Sequence, residues 1–136
     1  MKYMLDTCIC IEIIRHRSSS ALTHLTGCQP GDVCLSSITL AELFHGAQKN
    51  LRPEQNLIAI QQFSLALQIL DFDLRAASYY GVLCANLERQ GLRIGQMDML
   101  IGAHALSCGL VLVTNNLSEF QRISGLQIED WSSPKN

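Results

Sequence analysis

Short runs of apolar residues alternate along this chain with longer segments of helical periodicity. Strand-length runs are predicted at 3–5, 33–35, 68–72, 110–113 and 126–128. The run at 110–113 has four aliphatic residues and no charge, which is typical of a parallel strand buried on both faces. Because parallel neighbours need a crossover, usually a helix, the alternation predicts an α/β fold. Helices are expected to flank a central, mostly parallel sheet of four to five strands.

Helices are predicted between these runs. A capping residue or an apolar stripe at helical spacing indicates helices over 8–15, 20–26, 38–49, 54–65, 73–90 and 97–108. Thr7 is the expected cap of the first helix, and Gly109 is expected to end the last one. The long helices 54–65 and 73–90 are expected to form a hairpin arm that projects from the sheet.

Length and composition favour one compact domain. The chain has 136 residues, of which 48% are hydrophobic and 16% charged, and a chain of this size buries enough surface for one core. We therefore expect a single domain over residues 1–136. Ten basic and twelve acidic side chains give a net charge of −2, so the whole protein has no basic field that attracts nucleic acid. Any RNA contact has to be local.

The six cysteines are interpreted as reduced thiols. The first residues lead directly into an acid and a helical pattern rather than a signal peptide, so a cytoplasmic setting is expected. Cys8 and Cys10 lie two positions apart on a predicted helix and point about 200° apart, which argues against a zinc site. No apolar run approaches the roughly 20 residues that span a bilayer, so no membrane contact is expected.

Three acids fall where a buried or edge position is expected. Asp6 directly follows the first predicted strand, and Glu42 and Asp98 each interrupt an apolar helical stretch. Ligands of parallel sheets bind beyond the carboxyl ends of the strands. A buried carboxylate has to meet a cation, a hydrogen-bond donor or a metal, and the several acids have no matching set of lysines beside them. A Mg²⁺ site suited to phosphodiester hydrolysis is therefore favoured.

Each acid also has a simpler explanation. Asp6 would serve only as a helix cap, Glu42 would lie on an exposed helix face, and Asp98 would be a first-turn acid stabilised by the helix dipole. For one residue at a time, the simpler explanation is favoured. A shared position at one sheet edge favours a catalytic metal site instead.

The same residues carry a resemblance to a known family. The chain resembles the PIN-domain VapC toxins, ribonucleases of type II toxin-antitoxin systems, over nearly its whole length. The motifs that carry the resemblance are MLDT at 4–7, SSITLAEL at 36–43, IGQMDMLI at 94–101, and VTNN at 113–116 with EF at 119–120. As an ordered set they are specific, whereas each alone is weak.

The resemblance implies a PIN-like three-layer fold and a Mg²⁺-dependent endoribonuclease, with Mn²⁺ as an alternative ion. The residues expected to act in catalysis are Asp6, Glu42, Asp98 and Glu119. Asp6, Glu42 and Asp98 match the first three family acids and are expected to bind the metal. Asn116 and Thr114 are expected to support them.

Three positions depart from the family pattern. Asn116 stands where many relatives have Asp, so either Asn116 or Glu119 fills the fourth position. Cys8 and Met97 stand where relatives commonly have Asn. These replacements either lower metal affinity or activity, or are tolerated variations.

The resemblance also implies partners. A subgroup with Ile-Gly before the third acid and Phe-Gln-Arg near the end includes toxins that cut initiator tRNA in its anticodon stem-loop, which makes tRNA the expected substrate. A VapB-type antitoxin is expected to wrap the toxin and to supply the DNA binding of the complex. A homodimer is expected as well.

Other polar residues receive weaker interpretations. Arg93 and Arg15 are the candidates for local contact with RNA phosphates. His45 is interpreted as a surface or structural residue. His104 lies six residues beyond Asp98, about 240° round a helix, and is interpreted as a packed core residue.

Two other functions stay open at this point. A Mg²⁺-dependent phosphatase on a related α/β sheet would also need clustered acids, although Asp6-Thr7-Cys8 lacks the second acid of an Asp-x-Asp motif. A catalytically weakened PIN module that mainly binds its antitoxin is the second alternative, because Cys8 and Met97 remove polar groups from the expected pocket.

Overall fold

The computed structural model describes residues 1–16 and 19–132. The strands within these ranges form one parallel sheet in the order β3-β2-β1-β4-β5. Its strands are β1 (Tyr3–Leu5), β2 (Val33–Ser36), β3 (Gln68–Leu70), β4 (Val111–Val113) and β5 (Ile128–Glu129). The prediction of a parallel sheet of four to five strands is confirmed, and the apolar strand β4 lies inside the sheet beside β1.

Helices connect the strands, as the alternation predicted. Those in the described part of the chain are α1 (Thr7–Arg15), α2 (Ser20–Thr26), α3 (Ser37–Gln48), α4 (Pro53–Leu65), α5 (Leu74–Arg89), α6 (Gln96–Cys108) and α7 (Leu117–Phe120). Only the short helix α7 was not predicted. Gly109 ends α6 in a left-handed conformation with φ of 67°, which glycine adopts without steric cost.

Two hydrophobic clusters cover the opposite faces of the sheet. Met4 and Leu112 face a cluster that includes residues of α5 and α6. Leu5 and Val113 face the other cluster, which contains residues of α1, α2, α3 and α4. Successive strand residues point to opposite faces, so β1 and β4 are buried on both sides and the fold has three layers, as predicted.

The predicted hairpin arm is wrong. Ile60 of α4 packs in the cluster that also contains residues of α1 and α3, whereas Leu83 and Leu87 of α5 pack with α6 in the other cluster. The sheet therefore separates α4 from α5, and β3 connects them along its edge. Helical periodicity shows that a helix has a buried stripe, but not which face of the sheet covers it.

The predicted cap of the first helix is also wrong. Asp6 is the N-cap of α1, and its side chain accepts a hydrogen bond from the backbone N–H of Thr7. Thr7 is instead the first residue of the helix. Asp6 therefore has the capping role of the simpler explanation in addition to its place at the sheet edge.

None of the helices in residues 1–16 and 19–132 is both long and apolar enough to cross a membrane.

Gly102 of α6 provides a test of the packing between α6 and the segment that follows α7. A Cβ atom at this position would lie 2.6 Å from Ile123 Cδ1 and 3.4 Å from Phe120 Cε1, and both neighbours are buried. We predict that Gly102→Ala lowers the free energy of unfolding by about 1–3 kcal/mol, because the added methyl overpacks this contact.

Gly81 of α5 is the matched control, since a Cβ there meets nothing within 4 Å. Gly81→Ala is expected to raise the free energy of unfolding by roughly 0.5–1 kcal/mol, because alanine favours a helix interior. Urea denaturation of both variants measures the difference. Equal stability of the two variants would contradict the close contact at Gly102.

Candidate active site

Asp6 lies at the carboxyl end of the two central strands. β1 and β4 run in register through Leu5 and Val113, so the residues that follow them, Asp6 and Thr114, are neighbours. Thr114 Oγ1 donates a hydrogen bond of 2.8 Å to Asp6 Oδ2, and the N–H of Thr7 donates one of 2.8 Å to Asp6 Oδ1. Both carboxylate oxygens of this residue, which is only 4% exposed, therefore have donors.

Glu42 approaches the same edge from α3. Thr7 Oγ1 donates a hydrogen bond of 2.6 Å to Glu42 Oε1, which ties the carboxylate to the first turn of α1. The sequence analysis assigned Thr7 only a capping role and missed this contact. Its place directly after a strand-end acid was the available signal, because such residues share the loop edge where sites form.

Asp98 and Glu119 meet at Asn116. Asp98 lies in the first turn of α6, and Asn116 Nδ2 lies 2.8 Å from Glu119 Oε2 and 3.5 Å from Asp98 Oδ2. The backbone N–H of Asn116 donates to Thr114 Oγ1 at 3.0 Å. Thr114 and Asn116 thus form a hydrogen-bonded connection from Asp6 to the pair of Asp98 and Glu119.

These side chains surround a cleft of about 410 Å³. We call it the acidic cleft, and its polar lining includes Asp6, Thr7, Cys8, Glu42, Asp98 and Asn116. The structure therefore brings the three sequence-predicted acids to one opening, with Glu119 hydrogen-bonded to its Asn116 wall. Cys8 Sγ lies 3.5 Å from Asp6 Oδ2 and 3.7 Å from Thr114 Oγ1, so the thiol belongs to the same cleft.

Two acids of the cleft, Asp98 and Asp6, have a raised pKa. The pKa of Asp98 is raised from 3.8 to about 7, first by burial and then by the charge of Asp6, a hydrogen bond with Glu119 and the charges of Glu119 and Glu42. Burial also raises the pKa of Asp6, although hydrogen bonds from Thr114, Thr7 and Cys8 oppose that shift. Neutral donors satisfy the oxygens but leave the negative charge uncompensated.

This charge distribution fits a divalent cation. The donors are carboxylate oxygens, which Mg²⁺ and Mn²⁺ prefer, and an ion held by few carboxylates keeps several waters. Among the residues that the structure describes, no three His, Cys, Asp or Glu side chains already stand close enough to bind one ion directly. Asp6, Glu42 and Asp98 nevertheless line one cleft and offer the oxygen donors that such an ion prefers.

The two arginines predicted to contact RNA are both exposed. Arg15 is exposed and lines an adjoining groove with Ile11 and Glu42. Arg93 is also exposed, and its carbonyl accepts a hydrogen bond from the guanidinium of Arg122. Neither arginine pairs with an acid of the cleft in the hydrogen bonds described.

The histidine interpretations agree with the structure. His104 is 1% exposed and packs in the core, whereas His45 lies at the surface. Met97, one of the two departures from the family pattern, is 36% exposed and does not line the cleft.

Comparison with known proteins agrees with this geometry. The model of the PIN domain family matches residues 3–126. A relative from Shigella flexneri, named tRNA(fMet)-specific endonuclease VapC, is 46% identical over 132 residues, which is 97% of this chain and 99% of the relative. The fold and the match to the family model therefore identify a PIN domain.

Solved structures give the same result. DNA-bound VapBC from Salmonella typhimurium superposes with a TM-score of 0.92 at 45% identity and covers 96% of this chain and 98% of that chain. VapBC2 from Rickettsia felis, solved bound to a DNA fragment from its promoter, has a TM-score of 0.88 at 40% identity. This match covers 96% of this chain and 99% of that chain. The chain belongs to the PIN-domain family, among the VapC proteins.

The raised pKa of Asp98 predicts a pH dependence of stability in the metal-free protein. A carboxyl group whose pKa is raised by folding stabilises the folded state most below its ordinary pKa. That contribution is lost as pH rises through about 7. With a chelator present, the Tm of the wild type is therefore expected to fall as the pH rises from about 4 to about 8. Asp98→Asn should remove the part of this fall that is due to Asp98.

At about pH 8 the Asp98→Asn variant is expected to melt about 3 °C or more above the wild type, because the repelling charge is gone. The control is Glu88→Gln, which replaces an exposed acid of α5 outside the cleft. It should leave the pH profile unchanged. Parallel curves of Tm against pH for the wild type and Asp98→Asn, measured by differential scanning fluorimetry, would contradict the raised pKa of Asp98.

Proposed function

We propose that this chain is a Mg²⁺-dependent endoribonuclease toxin of a VapBC toxin-antitoxin system. It hydrolyses RNA phosphodiester bonds with one domain over residues 1–136, and tRNA, in particular initiator tRNA at its anticodon stem-loop, is its substrate. The observation that carries the proposal is the clustering of Asp6, Glu42, Asp98 and Glu119 at one edge of the sheet, where burial and the neighbouring negative charges raise the pKa of Asp98. The likeness to a relative named tRNA(fMet)-specific endonuclease supports the choice of substrate.

Each polar residue of the acidic cleft has a distinct role in this proposal. Asp6, Glu42 and Asp98 hold the cation, and Thr114 and Thr7 orient the first two carboxylates through their hydroxyl groups. Asn116 holds Glu119 beside Asp98. Because burial and the neighbouring acids raise the pKa of Asp98 to about 7, Asp98 binds a proton near neutral pH until a cation enters the cleft.

Asp6, Glu42 and Asp98 would hold a divalent ion, which would supply a bound water of lowered pKa and stabilisation of negative charge on the phosphate oxygens. The chain's own residues set where this happens, because the acids are arranged around one opening. Glu119 accepts a hydrogen bond from Asn116 and does not directly follow a strand. It is proposed to support the cation through a water molecule. Mn²⁺ prefers the same oxygen donors and would substitute for Mg²⁺.

The substrate has to be held by local positive charge, because the net charge is −2. Arg15 borders the groove that also contains Glu42, and Arg93 is exposed in the loop before α6. Both are proposed to contact RNA phosphates. In this role the two arginines position the RNA backbone and do not recognise its bases.

A VapB-type antitoxin is the proposed partner. The adjoining groove is lined by Ile11, Ile14, Leu43 and Ile60 and opens onto Glu42, so an apolar segment with a basic side chain would both fill it and neutralise the acids. The chain is proposed to act as a cytoplasmic homodimer and to meet DNA only through the antitoxin. The VapBC structures from Salmonella and Rickettsia, each solved with DNA, support an assembly with an antitoxin and DNA.

Replacement of the acids tests the proposed activity. Asp6→Asn and Asp98→Asn keep the side-chain shape but remove a charge, and each is expected to reduce cleavage of purified initiator tRNA by at least about a hundredfold. Cleavage should depend on added Mg²⁺ or Mn²⁺ and stop with chelator. Gel analysis with mapped RNA ends provides the measurement, and elongator tRNA tests selectivity.

Glu88→Gln is the matched control, because it neutralises an exposed acid remote from the cleft residues. It should cut at the wild-type rate. Undiminished cutting by Asp6→Asn, or cutting that persists in chelator, would defeat the proposal. Cutting of a small phosphomonoester in preference to RNA would favour a phosphatase.

Cys8 supports one alternative, a PIN module with weakened catalysis. Its thiol lies 3.5 Å from Asp6 Oδ2, where an amide would be a stronger donor. Burial raises the pKa of Cys8 to about 11, so the thiol stays neutral and adds no charge to the site. Cys8→Asn is therefore expected to lower the Mg²⁺ concentration for half-maximal cleavage by a few fold.

A titration of cleavage rate against Mg²⁺ measures the effect of Cys8→Asn, with Cys108→Asn, a change at an exposed thiol, as the control. An unchanged midpoint would mean that the thiol is a tolerated variation. No cleavage by the wild type together with cleavage by Cys8→Asn would establish the weakened module.

A further inference from the structure

Ser36 and His104 form a buried hydrogen bond between the two helices that carry Glu42 and Asp98. Ser36 Oγ lies 2.8 Å from His104 Nδ1, and the residues are 0% and 1% exposed. His104 belongs to α6, six residues after Asp98, and Ser36 is the N-cap of α3, six residues before Glu42. The bond therefore connects both acid-bearing helices away from solvent.

Either partner could donate in this hydrogen bond. Ser36 Oγ accepts the backbone N–H of Ile38 at 3.0 Å, which is the capping bond of α3, so its own proton is available to His104 Nδ1. With Ser36 as the donor, His104 is neutral and carries its proton on Nε2. Burial lowers the pKa of His104 against the opposing charges of Asp73 and Asp71.

Phe72 encloses the same corner of the fold. Its ring meets the ring of His104 edge-on, with centroids 5.4 Å apart and planes at 78°. Its backbone N–H donates to Ser37 Oγ at 3.0 Å. The start of α3 is thus held from α6 by His104 and from the segment after β3 by Phe72. A satisfied buried polar pair specifies one arrangement more sharply than apolar contact does.

We propose that the Ser36–His104 hydrogen bond sets the position of α3 relative to α6 and thereby the separation of Glu42 and Asp98 across the acidic cleft. His104 is then a positioning residue. The inference rests on the proposed function, because it treats these acids as metal ligands. Apolar packing alone is not directional and would let the two helices shift.

Two neutral amides at position 104 test this role. His104→Asn keeps an acceptor near the place of Nδ1, whereas His104→Gln moves the amide towards the place of Nε2 and leaves Ser36 unpaired. Mn²⁺ binding to the full chain without RNA, measured by electron paramagnetic resonance, is the main readout. His104→Asn is expected to bind within about twofold of the wild type, and His104→Gln about tenfold more weakly.

A second readout separates positioning from a merely structural role. Cleavage by His104→Gln should recover its kcat at high Mg²⁺, with an unchanged KM for tRNA, because only ion binding is affected. Reduced stability to urea in chelator together with wild-type Mn²⁺ affinity would overturn the proposal. If His104→Gln fails to fold, Ser36→Thr, which keeps the hydroxyl, and Ser36→Ala, which loses it, provide the same comparison.

Failure of the proposed function has a different signature. A wild-type chain that binds no Mn²⁺ contradicts the proposed function and this inference together, whereas normal wild-type binding with unchanged affinity in His104→Gln contradicts only the role of His104. The direction of the bond is tested by ¹⁵N spectra of the histidines. The proton is expected on Nε2 of His104, and its presence on Nδ1 would overturn the inference.

Discussion

Repulsion among buried and half-buried carboxylates is the constraint on which the carboxyl edge of the sheet depends. Asp6, Glu42 and Glu119 each accept a hydrogen bond from a neutral group, namely Thr114, Thr7 and Asn116. Such donors replace the water that burial removes, but they do not neutralise charge. Burial, together with the remaining repulsion from Asp6, Glu119 and Glu42, raises the pKa of Asp98 to about 7. An edge of this kind is completed by a cation from outside the chain.

The rest of the fold places and holds this edge. The central strands β1 and β4 are buried on both faces, so their ends are fixed by two hydrophobic clusters. Asp6 and Thr114 follow these strands directly, whereas Glu42 and Asp98 arrive on helices packed against opposite faces. Stability invested in the core offsets the cost of clustered acids, as expected where a functional site is locally unfavourable.

Much of the architecture was predictable because strand and helix periods are local properties. The strand runs, the helix ends at Arg15 and Gly109, and the positions of the acids at strand ends or in first turns follow from neighbouring residues. The hairpin arm was predicted wrongly. The apolar residues of α4 and α5 indicate that each helix is buried on one side, but not which face of the sheet each helix packs against. The contact from Thr7 to Glu42 was missed because the two residues are 35 positions apart.

The chain's pattern alone established an α/β fold with a parallel sheet and named Asp6, Glu42 and Asp98 as the acids of its edge. Periodicity and strand-end position are enough for that, since they reflect burial along one segment at a time. The hydrogen bond from Thr7 to Glu42, the raised pKa of Asp98 and the hydrogen bond between Ser36 and His104 depended on packing between segments. Interactions between distant segments arise only when the core has fixed their relative positions, so no local pattern encodes them.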